Sequence, residues 1–144
     1  MNLEAPVAAN SCGTFFELRY FCTAAFTGVP MIWKDDAGLK RYFDFMAKYY
    51  PDGDKDSNFN TYGYSTAQLL VHVLKQCGDD LTRENVMKQA TSLKNVDLDM
   101  ALPGIRINTS PTDYRVNKQL QMEKFNGERW ELFGPIIEDA GVSG

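Results

Sequence analysis

The chain of 144 residues is long enough for one domain, and its 44% hydrophobic and 24% charged residues are close to the globular average. Its formal net charge of -4 argues against binding to nucleic acid or an anionic membrane, because both depend on excess positive charge. No run of about 18 uncharged apolar residues predicts a transmembrane helix. Its 3 cysteines stand far apart and there is 1 histidine, so neither a disulfide framework nor a zinc site is expected.

Residues 1–28 differ in character from the rest and are predicted to form an atypical N-terminal segment. The apolar stretch from Phe15 to Phe26 is interrupted by Glu17 and Arg19, so it lacks the unbroken apolar core of a signal peptide. Residues 14–21 fit a strand as well as a helix. If the aromatic side chains of this stretch are exposed, they form an apolar patch that needs a partner.

Three helices are predicted from apolar residues that recur at helical spacing. The first covers residues 35–50 and begins with two carboxylates, which suit a helix N-terminus. The second covers residues 61–77 and ends at Gly78, which can adopt the left-handed conformation that closes a helix. The third covers residues 83–93 and follows Thr82, a favourable N-cap residue.

The inner face of the second helix is predicted from its most regular apolar stripe. This stripe consists of Ala67, Leu70, Val71, Leu74 and Cys77. Leu70 and Leu74 are therefore expected to be buried, either against the first helix or against a sheet. Leu69 and Val73 broaden the apolar side of the helix, which favours packing on more than one flank.

The C-terminal part is predicted to contain a short strand at residues 105–107 and then a β-hairpin with its turn at Asn126-Gly127. A two-residue turn would place Met122 opposite Glu131. A three-residue loop is favoured because it places four apolar side chains on one face, pairing Met122 with Trp130 and Leu120 with Leu132.

No catalytic constellation emerges from the chain, so an enzyme is not expected. The spacing of Asp52, Asp54 and Asp56 is that of the first ligands in a calcium-binding loop. The sixth and twelfth positions of that loop require glycine and glutamate, whereas the chain has Ser57 and Gly63. We therefore expect a solvated loop, with no metal site and no cofactor.

Three segments, in this order along the chain, carry a family resemblance. They read WKDDAGLKRYFDFMAKYYPDGD, FNTYGYSTAQLLVHVLKQCGDDLTRENVMKQATSL and LPGIRINTSPTDYRVNKQLQMEKFNGERWELFG. They resemble the C-terminal part of periplasmic ligand-binding proteins of the leucine/isoleucine/valine-binding type, the receptors of branched-chain amino acid ABC transporters. The resemblance covers residues 33–137 and implies that residues 29–144 form the C-terminal part of an α/β domain, a fragment of the type I periplasmic binding protein fold.

The complete receptors of this family have two α/β lobes, and the ligand lies in the cleft between them. By resemblance, this chain is truncated and lacks the segment that holds the carboxylate and ammonium groups of the ligand. The helices within residues 61–93 would pack on a parallel sheet encoded mostly by the absent N-terminal half. The apolar surface of these helices must then be covered by the N-terminal aromatic segment or by a second chain, and a homodimer or higher assembly is expected.

The resemblance also implies two residues that reach toward the cleft. They are Phe59, just before the second helix, and Tyr62, and an aromatic ring there can cover an aliphatic ligand side chain. The alternative is that both residues are a hydrophobic staple and packing residues of the first turn.

The function implied by the resemblance is that of a substrate-binding component of amino-acid ABC transport. Its ligand would be an amino acid or a small carboxylic acid, and a complete receptor would have an ABC permease as partner. The alternative is a non-enzymatic interaction module that self-associates. The family points to the periplasm, although the missing signal peptide leaves the cytoplasm open.

Overall fold

The computed structural model describes residues 21–24, 36–125 and 130–138. These contain three helices and three strands, in the order β1 (Phe21–Ala24), α1 (Ala37–Tyr49), α2 (Asn58–Cys77), α3 (Arg83–Ala90), β2 (Gln119–Phe125) and β3 (Trp130–Glu138). The strands form one antiparallel sheet in the order β1-β2-β3. The predicted mixed α/β fold, with three helices followed by a hairpin, is confirmed. The boundary expected between residues 28 and 29 lies outside the described residues and stays a prediction.

The predicted capping residues begin and end the helices. Asp36 accepts a hydrogen bond from the backbone N–H three residues later at 2.9 Å, and Thr82 does the same at 3.4 Å. Gly78 follows α2 with a φ of +60°, a conformation that glycine adopts at little cost. Two helix ends differ from the expectation by three residues, because α2 begins at Asn58 and α3 ends at Ala90.

The core is built around residues 93–107, an irregular segment between α3 and β2. It contributes to all three hydrophobic clusters of the described chain. Leu93, Val96, Leu98 and Ile107 pack with α2 and α3, Leu102 and Ile105 pack with the sheet, and Met100 packs with α1. This segment therefore connects the three helices with the sheet.

The short strand predicted at residues 105–107 is reduced to one isolated bridge. Val96 and Ile107 exchange two backbone hydrogen bonds, of 3.0 and 2.9 Å. Both Ile105 and Ile107 are buried, as expected of a strand in the core. The bridge does not extend into a β-ladder on either side. A turn at residues 103–104 comes before Ile107, and after it the Asn108 side chain accepts the hydrogen bond of the Asn95 backbone N–H.

The inner face predicted for α2 is confirmed for Cys77 but wrong for the other four residues of the stripe, Ala67, Leu70, Val71 and Leu74. Leu70 and Leu74 are exposed, whereas Val73 and Cys77 are buried. The physical reason is that α3 and residues 93–107 pack against the side of α2 that bears Val73 and Cys77. The described residues consequently leave four members of the predicted stripe exposed, namely Ala67, Leu70, Val71 and Leu74.

The predicted hairpin register is also wrong. Met122 pairs with Phe133 and not with Trp130, and Leu120 pairs with Ile137 and not with Leu132. Residues 126–129, which include the predicted turn, separate the strands and lie outside the described residues. The pairing is also irregular between Leu120 and Met122, where β3 forms a bulge that includes Gly134 with a φ of +70°. Apolar alternation does not encode a bulge of this kind.

Two glycines in helices are expected to respond oppositely to substitution by alanine. A Cβ at Gly38 would collide with the backbone of Asp99, whereas a Cβ at Gly63 would meet open space. Gly38→Ala should therefore lower the free energy of unfolding by about 1–3 kcal/mol. Gly63→Ala should raise it by about 0.5–1 kcal/mol through better helix propensity. Urea unfolding followed by circular dichroism measures both, and equal effects would contradict the close approach of α1 to residue 99.

Candidate ligand-binding site

The two predicted site residues, Phe59 and Tyr62, lie one turn apart at the start of α2. Phe59 belongs to the first turn of the helix rather than preceding it, because α2 begins at Asn58. The exposed fraction is 84% for Phe59 and 57% for Tyr62. Both rings are largely exposed within the described chain, and their assignment to a ligand-binding site stays a prediction.

Tyr62 lines a shallow pocket between α2 and the chain that leads into β2. The pocket has a volume of about 110 Å³ and is completed by Ser65, Thr66, Leu69, Leu98, Val116 and Asn117. None of its lining side chains is charged. The hydroxyls of Ser65 and Thr66 donate to backbone carbonyls of α2, each at 2.9 Å, so they face the pocket mainly as acceptors.

This combination of side chains suits an aliphatic group better than a charged one. The leucine and valine side chains offer apolar contact, and the tyrosine ring can cover a small hydrocarbon group from one side. A carboxylate or ammonium group would find no charged partner among these lining residues. The pocket can therefore recognise a hydrophobic ligand side chain, whereas the polar end of the ligand needs other contacts.

The position of α2 is fixed by Asp99, which joins both long helices to the central segment. Arg41 of α1 donates to the two carboxylate oxygens of Asp99 at 3.1 and 2.5 Å. The Tyr64 hydroxyl of α2 donates to the same carboxylate at 2.9 Å. The backbone N–H of Asp99 donates to the Gln68 side chain, also at 2.9 Å. The first turns of α2, with Tyr62, are thereby held against α1.

The protonation states of this network follow from burial and hydrogen bonding. Burial by itself raises the pKa of Asp99, but the hydrogen bonds that its carboxylate accepts from Arg41 and Tyr64 outweigh burial and hold that pKa below its usual value. Burial, together with the hydrogen bond to Asp99, raises the pKa of Tyr64 to about 12. Asp99 is consequently ionised and Tyr64 protonated throughout the neutral range.

Aromatic contacts reinforce the same junction. The ring of Tyr64 meets the rings of Tyr42 and Phe45 edge to face, with centroids 5.3 and 5.2 Å apart. The Tyr42 hydroxyl donates to the backbone carbonyl of Lys55 at 3.1 Å, which fixes the loop before α2. Sequence reasoning missed Tyr64 and Asp99, because no short motif connects residues that lie 35 positions apart.

A second, polar pocket of about 290 Å³ lies beside the N-terminus of α1. Two arginines line it, but Arg41 is paired with Asp99, and Arg106 is paired with Asp97 at 2.6 Å. The positive charges are thus neutralised within the pocket itself. This arrangement gives no reason to assign a charged ligand to it.

The described residues contain no group of three or more histidine, cysteine, aspartate or glutamate side chains that could hold a metal ion. In the predicted solvated loop, Asp54 accepts a hydrogen bond from the backbone N–H of Asp56 at 3.0 Å. No helix within the described part of the chain is long and apolar enough to cross a membrane.

Comparison with known proteins places the chain in a family. Residues 20–128 match the family model described as periplasmic binding protein, which is most of the chain. The chain belongs to this family, and the resemblance to its leucine/branched-chain type is confirmed. No curated protein and no solved structure gives a significant match. Members of the family generally bind small molecules and are not enzymes.

Proposed function

We propose that the chain is a non-enzymatic, substrate-binding component of amino-acid transport of the ABC type, acting in the periplasm. Family membership supports a ligand-binding role in general. The observation that carries the amino-acid proposal is the exposed aromatic pair Phe59 and Tyr62, of which Tyr62 lines an uncharged pocket. The partner of the complete receptor would be an ABC permease.

The chemistry of the pocket favours amino acids with branched aliphatic side chains. Leu69, Leu98 and Val116 would contact the hydrocarbon, and Tyr62 would cover it. Phe59, one turn earlier on α2, would offer a second exposed ring. Burial of such a side chain supplies affinity in proportion to the apolar area removed from water. Small aromatic acids are the competing ligand class, because a flat ring can stack on Phe59 or Tyr62.

Calorimetric titration with leucine, isoleucine, valine and benzoate tests this proposal. We expect saturable heat with the aliphatic amino acids, and Phe59→Ala and Tyr62→Ala should each weaken binding about tenfold, equivalent to 1.4 kcal/mol. Tyr49→Ala is the matched control, because Tyr49 is an exposed aromatic residue on α1, outside this pocket. Tyr49→Ala weakening binding as much as the two site variants would contradict the assignment of the site.

A second candidate function is that of an interaction module that self-associates as a homodimer. The observation that favours it is the exposed apolar stripe of α2, which the described residues leave uncovered. Burial of such a stripe between two chains is favourable, because apolar surface is removed from water. Self-association without heat in the titration would support this candidate over the first.

A further inference from the structure

The inner wall of the shallow pocket beside Tyr62 contains a buried hydroxyl group. Ser65 has an exposed fraction of 2%, the lowest among the residues that line this pocket. Its hydroxyl donates to the backbone carbonyl of Thr61 at 2.9 Å, so its proton is already used. Within the described part of the chain, no hydrogen-bond donor reaches the Ser65 oxygen. The lone pairs of this buried oxygen therefore remain for a ligand.

We propose that Ser65 makes the pocket selective for a small branched amino-acid side chain that carries a hydroxyl group, so that free threonine binds more tightly than its isostere valine. The ligand hydroxyl donates to Ser65 Oγ, and the ligand methyl group contacts Leu69 and Leu98. This inference rests on the proposed function, because it takes an amino acid as the ligand and this pocket as the place of its side chain. It adds which side chain within that class is preferred.

The helix itself does not require a serine at this position. Ser65 lies in the interior of α2, where alanine has the higher helix propensity and a serine that bonds back to its own helix adds no stability. Alanine would also bury no polar side-chain atom. A buried oxygen with unused lone pairs is unfavourable in the free chain, and a ligand hydroxyl that donates to it removes this disadvantage.

The neighbouring polar groups of the pocket also fit a ligand hydroxyl. Thr66 donates its hydroxyl proton to the helix backbone at 2.9 Å and so offers a second acceptor oxygen. Asn117, an exposed lining residue, has a side-chain amide that can donate. A hydroxyl group both donates and accepts, so it can use both kinds of partner. The corresponding methyl group of valine can use neither.

The volume of the pocket suits a side chain of this size. About 110 Å³ is available. An engineered cavity of roughly 150 Å³ in another protein holds one benzene molecule, so a branched side chain without a ring fits this pocket better than a phenyl group. Threonine and valine have nearly the same shape and differ in a hydroxyl group against a methyl group. A comparison of the two ligands therefore isolates the effect of the hydroxyl.

Two opposing contributions determine the expected preference. Valine buries one more methyl group, which by itself favours valine. Threonine gains a hydrogen bond to Ser65 Oγ, whereas the valine methyl group would cover this oxygen and leave it without a donor. The second contribution is the larger, because a buried polar group without a partner is costly. We expect threonine to bind about tenfold more tightly than valine.

Calorimetric titration of the full chain with threonine and with valine measures this preference. Ser65→Ala removes the acceptor with little change in size, so the ratio of the two affinities should fall from about ten to about one. Ser92→Ala is the matched control, because Ser92 donates to the carbonyl four residues earlier in the same way, at 2.7 Å, and lies outside the pocket. The ratio should keep its wild-type value in this variant, and circular dichroism verifies that both variants retain their helices.

Two results would overturn the inference. The first is a wild-type chain that binds valine as tightly as threonine, a comparison that needs no variant and holds even if Ser65→Ala does not fold. The second is a folded Ser65→Ala chain that keeps the preference for threonine. Binding of valine without a preference for threonine would leave the proposed function intact. The absence of heat with threonine, valine and leucine would contradict the proposed function itself, and this inference with it.

Discussion

Leu93→Ala should lower the free energy of unfolding by about 2–5 kcal/mol, the usual cost of truncating a buried leucine. The side chain of Leu93 has an exposed fraction of 2% and packs in the core cluster between α2 and α3. Its backbone exchanges hydrogen bonds with Thr109, at 3.0 and 3.1 Å, so the chain at this point cannot easily move to fill a cavity. A cavity that stays open adds to the lost burial energy.

Urea unfolding followed by circular dichroism measures this effect. Leu81→Ala is the matched control, because Leu81 is exposed in the loop between α2 and α3. It should change the free energy of unfolding by no more than about 0.5 kcal/mol, as expected of a surface substitution. Equal losses for Leu93→Ala and Leu81→Ala would contradict the position of the core around residues 93–107.

Asp99→Asn should lower the free energy of unfolding by about 1.5–3 kcal/mol near neutral pH, the range for hydrogen bonds to charged groups. The side chain of Asp99 is 9% exposed and accepts from both Arg41 and Tyr64. An asparagine side chain replaces one acceptor oxygen by a donor, which would face the donors of Arg41 or Tyr64. Arg41 itself is partly solvated, so water limits the loss.

The pH dependence of this effect follows from the lowered pKa of Asp99. Because the pKa is lower in the folded state, the contribution of Asp99 is fully present above its unfolded pKa of about 3.9. It is lost as the pH falls through the folded pKa, and the difference between wild type and Asp99→Asn should then vanish.

Asp97→Asn provides the control for both parts of this prediction. Asp97 is also paired with an arginine, but its side chain is 71% exposed. We expect a loss of no more than about 1 kcal/mol, as for a surface ion pair. A loss from Asp97→Asn as large as that from Asp99→Asn would show that the junction at Asp99 does not hold α1, α2 and the central segment together.

The helices could be predicted from sequence because their signals are local. Asp36 and Thr82 cap α1 and α3 through bonds to residues three positions away, and Gly78 ends α2 through its own backbone conformation. Apolar periodicity then defines the length of each helix. Such features do not depend on how the rest of the chain is arranged.

The buried side of α2 could not be predicted, because the helix is apolar on more than one side. Leu70 and Leu74 form as regular a stripe as Leu69 and Val73. Packing of α3 and residues 93–107 decides between them, and this packing connects parts of the chain that are distant in sequence. The hairpin register could not be predicted either, because apolar alternation does not encode the bulge at Gly134 of β3.

The candidate site likewise combines residues that were predicted from sequence with residues that only the fold brings together. Phe59 and Tyr62 were found through the family resemblance, whereas the pocket beside Tyr62 depends on Val116 and Asn117, which come from a distant loop. The network that holds α2 joins Asp99 to Arg41 across 58 positions. No periodic pattern or short motif encodes such a pair, so only the folded chain reveals it.

Backbone NMR with added leucine tests the proposed binding function most directly, because it reports both binding and its location. We expect saturable shifts of amide resonances at the start of α2, around Phe59 and Tyr62, and at Val116 and Asn117 beside the pocket. The shifts should be lost in the Phe59→Ala, Tyr62→Ala double variant, with the remaining spectrum preserved. An unchanged spectrum of the folded wild-type chain, or shifts confined to other surfaces, would contradict the proposal.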